Sequence, residues 1–275
     1  MWPTRTPDLS SPRSAPVEAN LREMMKFFSL ARNAGLVEVR DGLQLVSSSI
    51  DFSPFNSALL TQPIPAHDSR DFESCVAAAA DFFRQRNERW SFWLCDDLVP
   101  STVLKRARMI FLKHRLRLSS EPPGMISDHL EPIRRELPGD LMVSPVCDVK
   151  TRNDFSGVTA CTFDLPHSIC REVYQTERSW SGSMQGWIGY VRQEPVATCA
   201  TVVSSGVIGM YTVGTMPHFR KRGYSELMMR YVLAETQSQT GLTTSILQAT
   251  QAGYPMYHKM GYRKATQFSI YLSEH

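Results

Sequence analysis

The stretch HFRKRGYSELMMRYVL, residues 218–233, sets Arg220, Lys221 and Arg222 ahead of Gly223 and Ser225 at the start of an amphipathic run. The first turn of a helix carries the positive end of its dipole, so cations placed there cost stability unless an anion arrives to meet them. Free backbone N–H groups at such a turn bind anions, and successive amides form a concave nest for phosphate oxygens. A glycine lets the backbone approach a pyrophosphate closely, and arginine holds phosphate oxygens through its planar fork. The chemistry these residues suit is the binding of a phosphorylated ligand. The alternative for the same residues is a solvated run of charge before a helix.

Little else in the chain offers reactive chemistry by pattern. The six cysteines, Cys75, Cys95, Cys147, Cys161, Cys170 and Cys199, are scattered without a C-x-x-C pair. This argues for reduced thiols in a cytoplasmic protein and against a disulfide framework or a metal site. Cys199 lies inside an apolar strand, where a thiol packs rather than reacts. The formal net charge of +3 is too small to argue for nucleic acid. The longest apolar runs, such as residues 76–83, are too short to span a bilayer.

The elements that must position the basic loop follow from periodicity and punctuation. Residues 1–18 read as a disordered leader rich in Pro, Ser and Arg, with no apolar core of a secretory signal. The spacing predicts a helix over 19–35 stopped by Gly35, a hairpin over 36–48 turning at Asp41-Gly42, a helix over 69–87, a strand over 89–96 and a helix over 100–113 with Ser101 as its N-cap. A seam dense in Pro, Gly and charge covers 119–141 and divides an N-terminal α/β domain, 19–135, from a second domain, 136–275. After it come a strand at 141–149, helices near 151–163 and 166–178, and an antiparallel three-strand meander over 186–213. A helix over 223–239, with Leu227, Met228, Tyr231 and Val232 on one face, then leads to a strand at 243–250, a short helix and a final strand or hairpin. The loop thus joins a strand ending near Val213 to a helix beginning near Gly223.

Arg220-x-x-Gly223-x-Ser225 in this setting resembles the Q/R-x-x-G-x-G/A signature of the GNAT superfamily of acyl-CoA N-acyltransferases. Tyr257-His258-Lys259-Met260-Gly261-Tyr262 is similar to the family's later Y-x-K-x-G-[FY] segment, and the order of elements from 141 to 272 matches. The resemblance implies an α/β fold with a mixed, mostly antiparallel sheet flanked by helices. For the first half it implies a divergent, degenerate copy of that fold. It implies acetyl-CoA as co-substrate and no metal, with the backbone of Val213, Gly214 and Thr215 pairing with pantetheine and polarising the thioester carbonyl. Arg220, Lys221, Arg222, Gly223, Tyr224 and Ser225 would take the pyrophosphate; Ser225 stands where the family has Gly or Ala. Tyr257 would protonate the departing thiolate, since a phenol of pKa about 10 can donate to it; the other reading of Tyr257 is a core aromatic.

The general base is not evident, because residues 206–215 hold no carboxylate and His218, His258 and Glu177 are equally open to surface roles. The acceptor implied is a small-molecule or peptide amine, with no nucleic acid or membrane partner, for a monomer or homodimer in the cytoplasm. Two rivals stand beside this reading. One is a CoA-binding sensor or scaffold without turnover; the other, more distant, is a nucleic-acid binder using the cations of residues 104–118.

Overall fold

The computed structural model describes residues 14–65 and 69–274, so the first thirteen residues of the expected leader lie outside the described residues. The rest of that leader is not disordered. Helix α1 spans Ala15–Ser29, opened by a proline at its first turn and buried along Val17, Leu21, Met24, Met25 and Phe28. A proline costs nothing where the N–H has no partner anyway. The apolar face, not Gly35, sets where α1 ends.

Strands β1 (Leu36–Arg40) and β2 (Leu43–Ser47) form the expected hairpin. Asp41 and Gly42 both take positive φ, as its two-residue turn requires. Then follow β3 (Ser57–Leu60), α2 (Ser69–Arg86), β4 (Ser91–Cys95), α3 (Ser101–Lys113), β5 (Leu116–Ser120) and β6 (Pro123–Ser127). Pro100 occupies the cap position of α3 and no side chain caps it, so Ser101 is the first helical residue and not the N-cap.

The second half runs β7 (Met142–Pro145), α4 (Val149–Phe163), α5 (His167–Tyr174), β8 (Met184–Val191), β9 (Glu194–Ser204) and β10 (Val207–Thr215). It closes with α6 (Tyr224–Thr240), β11 (Ser245–Gln248), α7 (Tyr254–Lys259) and β12 (Arg263–Ser273). On α6 the buried face is Tyr224, Met228, Met229, Val232, Leu233 and Thr236, whereas Tyr231 is 45% exposed. The expected face was rotated because Leu227 and Tyr231 fit the same period from the neighbouring stripe.

All twelve strands belong to one sheet, ordered β1-β2-β3-β4-β12-β6-β11-β10-β9-β8-β7, with β5 also on β12. Among the described residues only β3/β4 and β10/β11 are parallel pairs. Each is joined by a crossover helix, α2 or α6, as parallel neighbours require. The run β1-β2-β3-α2-β4-α3-β5 therefore repeats the run β8-β9-β10-α6-β11-α7-β12. The fold is mixed α/β with a mostly antiparallel sheet, as expected.

Hydrogen-bonded strands cross the expected boundary at 135/136 in both directions. From the first half, β6 pairs with β11 and with the start of β12; from the second, the end of β12 pairs with β4 and β5. The Pro- and Gly-bearing seam thus contains a strand, since Pro123 stands first in β6 and leaves the rest free to pair. Helix α1 also packs across the boundary. Its fully buried Asn20 donates through Nδ2 to the carbonyls of Val202 (2.9 Å) and Ser204 (3.2 Å), and accepts from the Tyr211 hydroxyl (2.6 Å). No helix among the described residues is long and apolar enough to cross a membrane.

Two predictions follow from this packing. A chain begun at Glu136 lacks α1 and β6, which cover and extend the second half's sheet, and is expected to show no cooperative melt by circular dichroism. The second concerns Glu18, which is ion-paired with Arg22 on α1. Burial outweighs that attraction and lifts its carboxyl from 4.5 to about 7. A carboxyl whose native pKa is raised stabilises the fold while protonated, and that contribution is lost as pH rises from about 4.5 through about 7. Glu18→Gln is expected to flatten this loss, read as urea midpoints at about pH 5 and about pH 8.

Candidate active site

The site begins with an irregularity in β10. Its pairing with β9 runs in register to Tyr211↔Ala200, shifts, and resumes at Gly214↔Thr198. The shift is a bulge in which Thr212 takes φ 50°, and the Thr212 carbonyl accepts from the Thr198 hydroxyl at 2.9 Å. On its other edge β10 pairs with β11 only at Ile208↔Ser245 and Gly209↔Ile246. Beyond these residues the two parallel strands part. The rest of β10, through Val213, Gly214 and Thr215, borders a gap with backbone groups that β11 does not take up. Gly214 is required by close approach, because a Cβ there would lie 2.6 Å from the Thr162 methyl of α4.

The gap leads to the basic loop at the N-terminus of α6. Lys221 takes φ 63° and Gly223 φ 97°, so the chain turns through two left-handed residues as it enters the helix. No side chain caps α6, which leaves its first amides open to a ligand. Lys221 and Arg222 are exposed and have no acidic partner among the described residues; Arg222 lies over the Phe219 ring at 5.6 Å. Free cations beside uncapped amides are the arrangement an anion site needs.

The remaining expected ligands are placed differently. Arg220 donates from Nε to the Thr215 carbonyl (3.1 Å) and from Nη2 to the Thr162 carbonyl (3.2 Å), so it ties the end of β10 to α4. The Ser225 hydroxyl is paired with that of Thr215 at 2.6 Å. Tyr224 is buried, and its hydroxyl donates to Asp140 at 3.0 Å. The segment before β7 straps this region. Leu137 and Pro138 stand 3.1 and 3.2 Å from where a Cβ on Gly223 would lie, and Arg135 bonds Glu226 of α6 at 3.1 Å. Sequence reasoning missed this strap, because Asp140 and Arg135 meet α6 only through the fold.

Tyr257 sits on α7, 7% exposed, with its ring edge-on to Tyr262 at 6.1 Å. Burial, and then the nearby Cys199 thiol, push its hydroxyl well above the ordinary phenol range. Cys199 is on β9 between Thr198 and Ala200, the two residues that flank the bulge register. Tyr257 and α6 share one hydrophobic cluster, which places the phenol on the α6 face of the sheet near the bulge. His218 and His258 are exposed, while Glu177 is 87% exposed and pairs with Arg152 at 3.8 Å. No carboxylate lies on β10.

The first half's matching crossover lacks these features. Its parallel strands pair at Ser57↔Ser91, Ala58↔Phe92 and Leu59↔Trp93, over three of the four residues of β3. The connection TQPIPAHD, 61–68, has no glycine, lysine or arginine.

Comparison with known proteins agrees with the resemblance read from the loop. Residues 202–265, from the end of β9 into β12, match the family model described as an acetyltransferase (GNAT) domain. A GCN5-related N-acetyltransferase from Kribbella flavida is similar in structure over 94% of this chain and 96% of its own, with a TM-score of 0.68 at 16% identity. Another from Sphaerobacter thermophilus covers 96% of this chain and 94% of its own, with a TM-score of 0.58 at 13% identity. A tandem GNAT protein from the clavulanic acid biosynthesis pathway covers 96% and 97%, with a TM-score of 0.57 at 11% identity. No match to a curated protein is found by sequence. The chain therefore has the GNAT fold, and the match to the family model lies within its second half.

Gly223 gives the local test of this geometry. An L-residue at φ 97° is strained, and its Cβ would press on Leu137 and Pro138. Gly223→Ala is expected to lower stability by about 1–2 kcal/mol, read as a denaturant midpoint.

Proposed function

We propose that the protein transfers an acetyl group from acetyl-CoA to a primary amine by direct attack. The observation that carries this reading is the gap between β10 and β11, which opens past Gly209/Ile246 and runs to the cationic turn at 221–223. An extended pantetheine arm suits the gap, because the unpaired edge of β10 offers it the hydrogen bonds of a missing strand. The pyrophosphate suits the turn, with Lys221, Arg222 and the first amides of α6 as its partners and Gly223 allowing close approach. Arg220, Tyr224, Ser225 and Thr215 hold the turn in shape.

In the reaction the neutral amine nitrogen attacks the thioester carbon, an N–C bond forms, and the carbonyl oxygen takes negative charge. A backbone N–H at Val213–Thr215, fixed by the bulge, is preorganised to stabilise that charge. The C–S bond then breaks and sulfur leaves as a thiolate, while the amine's extra proton passes to water. Burial keeps the Tyr257 phenol protonated, so it meets the sulfur as an O–H donor; the proton it gives as charge builds there is returned to it through the water that took the amine's proton.

A second reading is a CoA-binding sensor without turnover, favoured by the commitment of Arg220 and Ser225 to partners within the protein. Incubation with acetyl-CoA and pooled amines, with detection of released thiol, separates the two. CoA at a hundredfold excess over its dissociation constant is expected to stabilise the fold by about 2.7 kcal/mol. Tyr257→Phe is expected to leave that shift intact and to lower turnover by roughly 10²–10⁴-fold. A mutant with full turnover and an unchanged melt would remove Tyr257 from the mechanism.

A further inference from the structure

The face of the sheet opposite α6 carries an unmet demand for hydrogen bonds at the level of the gap. Gly209 faces Asn20, and Tyr211 bonds it, so both belong to the α1 face. Ile246, the partner of Gly209 across the last parallel pair, lies in the same hydrophobic cluster as Tyr211. Side chains alternate along a strand, so Gln248, two residues beyond Ile246, is on this face too. It stands across the opening from Tyr211. Its Nε2 is buried without a hydrogen-bond partner.

Two more such atoms come from α4. Thr162 lies against Gly214, and its Oγ1 is buried without a partner; Thr159, one turn earlier on the same side of the helix and 1% exposed, has an unpartnered Oγ1 as well. Native proteins satisfy nearly all buried polar atoms, and those left over need an explanation. Here two come from α4, beside the bulged end of β10, and the third stands on β11 past its last pair with β10. All three are neutral. The charges that α1 and α4 carry are already paired: Glu18 with Arg22, Glu23 with Lys26, Lys150 with Asp154, and Arg152 with Glu177 of the turn that follows α5.

We infer that this face of the gap is the acceptor subsite, and that it takes an amine bearing neutral hydrogen-bonding groups, hydroxyl or amide, met by Thr159, Thr162 and Gln248. The inference rests on the acyl-transfer reading above. With α6 and α7 on one face of the sheet, the nitrogen would reach the thioester from the other face, the one that carries these three groups. An amine carrying only hydrocarbon would leave them unpaired, whereas a polycation would find no free carboxylate among them. Hydrogen-bonding sites reject analogues lacking the bonded group far more strongly than apolar pockets reject size.

The test is a matched set of acceptors: serinol, isopropylamine (the same skeleton without the two hydroxyls), glycinamide and putrescine. Each is assayed with acetyl-CoA alongside the CoA-induced shift in melting temperature. Serinol and glycinamide are expected to exceed isopropylamine and putrescine in kcat/KM by at least about tenfold, the equivalent of one hydrogen bond. Thr159→Val, Thr162→Val and Gln248→Met keep side-chain volume and remove the polar atoms. They are expected to erase that preference through KM, with the CoA shift retained. They are also expected to melt no lower than the parent, because no internal bond is lost. A CoA shift with equal use of serinol and isopropylamine overturns the subsite and leaves the acyl-CoA reading standing. So do variants that keep the preference, or Val and Met variants that melt well below the parent. Absence of any CoA shift in the parent overturns both.

Discussion

The architecture depends on the pairing of one strand. β12 bonds β6 with its first residues and β4 and β5 with its last, so a single eleven-residue strand is held by both halves of the chain. In exchange β6, from the first half, fills the place beside β11. Each half is left with a sheet that is complete only when the other is present. The exchange removes two edges that would otherwise face solvent with unpaired N–H and C=O groups. It also fixes α1 across the second half's sheet, where Asn20 takes up the β9–β10 carbonyls that Gly209 leaves room to reach.

Against that rigid frame the site is a set of local departures from regular structure. Thr212, Lys221 and Gly223 all take positive φ within twelve residues of chain. For non-glycine residues such conformations cost of order 1–3 kcal/mol each and persist only where the surroundings over-determine them. The restraints are Thr198 on the Thr212 carbonyl, Arg220 across Thr215 and Thr162, and Tyr224 on Asp140. The bulge against β9 follows directly on the last β10–β11 pair, so β10 changes course where its two neighbours part.

The two halves share an order of elements but not the loop between the parallel strands. Both run through the same order of elements, with a parallel pair joined by a crossover helix. In the first half the pair holds over three of the four residues of β3, and its connection has no glycine, lysine or arginine. Its apolar cluster under α2 and α3 is intact, with Phe72, Phe83, Phe92 and Phe111 fully buried. Packing has been kept there without the features that would bind an anion, and the half contributes a strand and a helix to its neighbour instead.

The sequence by itself determined most of the elements, though not β3, β5 or β6, and singled out the loop. Apolar spacing placed the helices, Asp41-Gly42 marked its hairpin, and Arg220–Ser225 between a strand and a helix pointed to phosphate chemistry, because these signals are local in the chain. Which residues of the loop are free was decided only in three dimensions. Arg220 and Arg222 are chemically identical, yet Arg220 is bound to two carbonyls and Arg222 is open, since Thr162 is brought to one of them by a helix 58 residues away in sequence. The seam misled for the same reason: Pro122, Pro123 and Gly124 punctuate the chain locally, but the strand they open is stabilised by partners more than a hundred residues on, β11 and β12. The gap, the bulge and the three unpartnered polar atoms beside them have no sequence signature. They arise from the register between strands, and register is a property of the whole sheet.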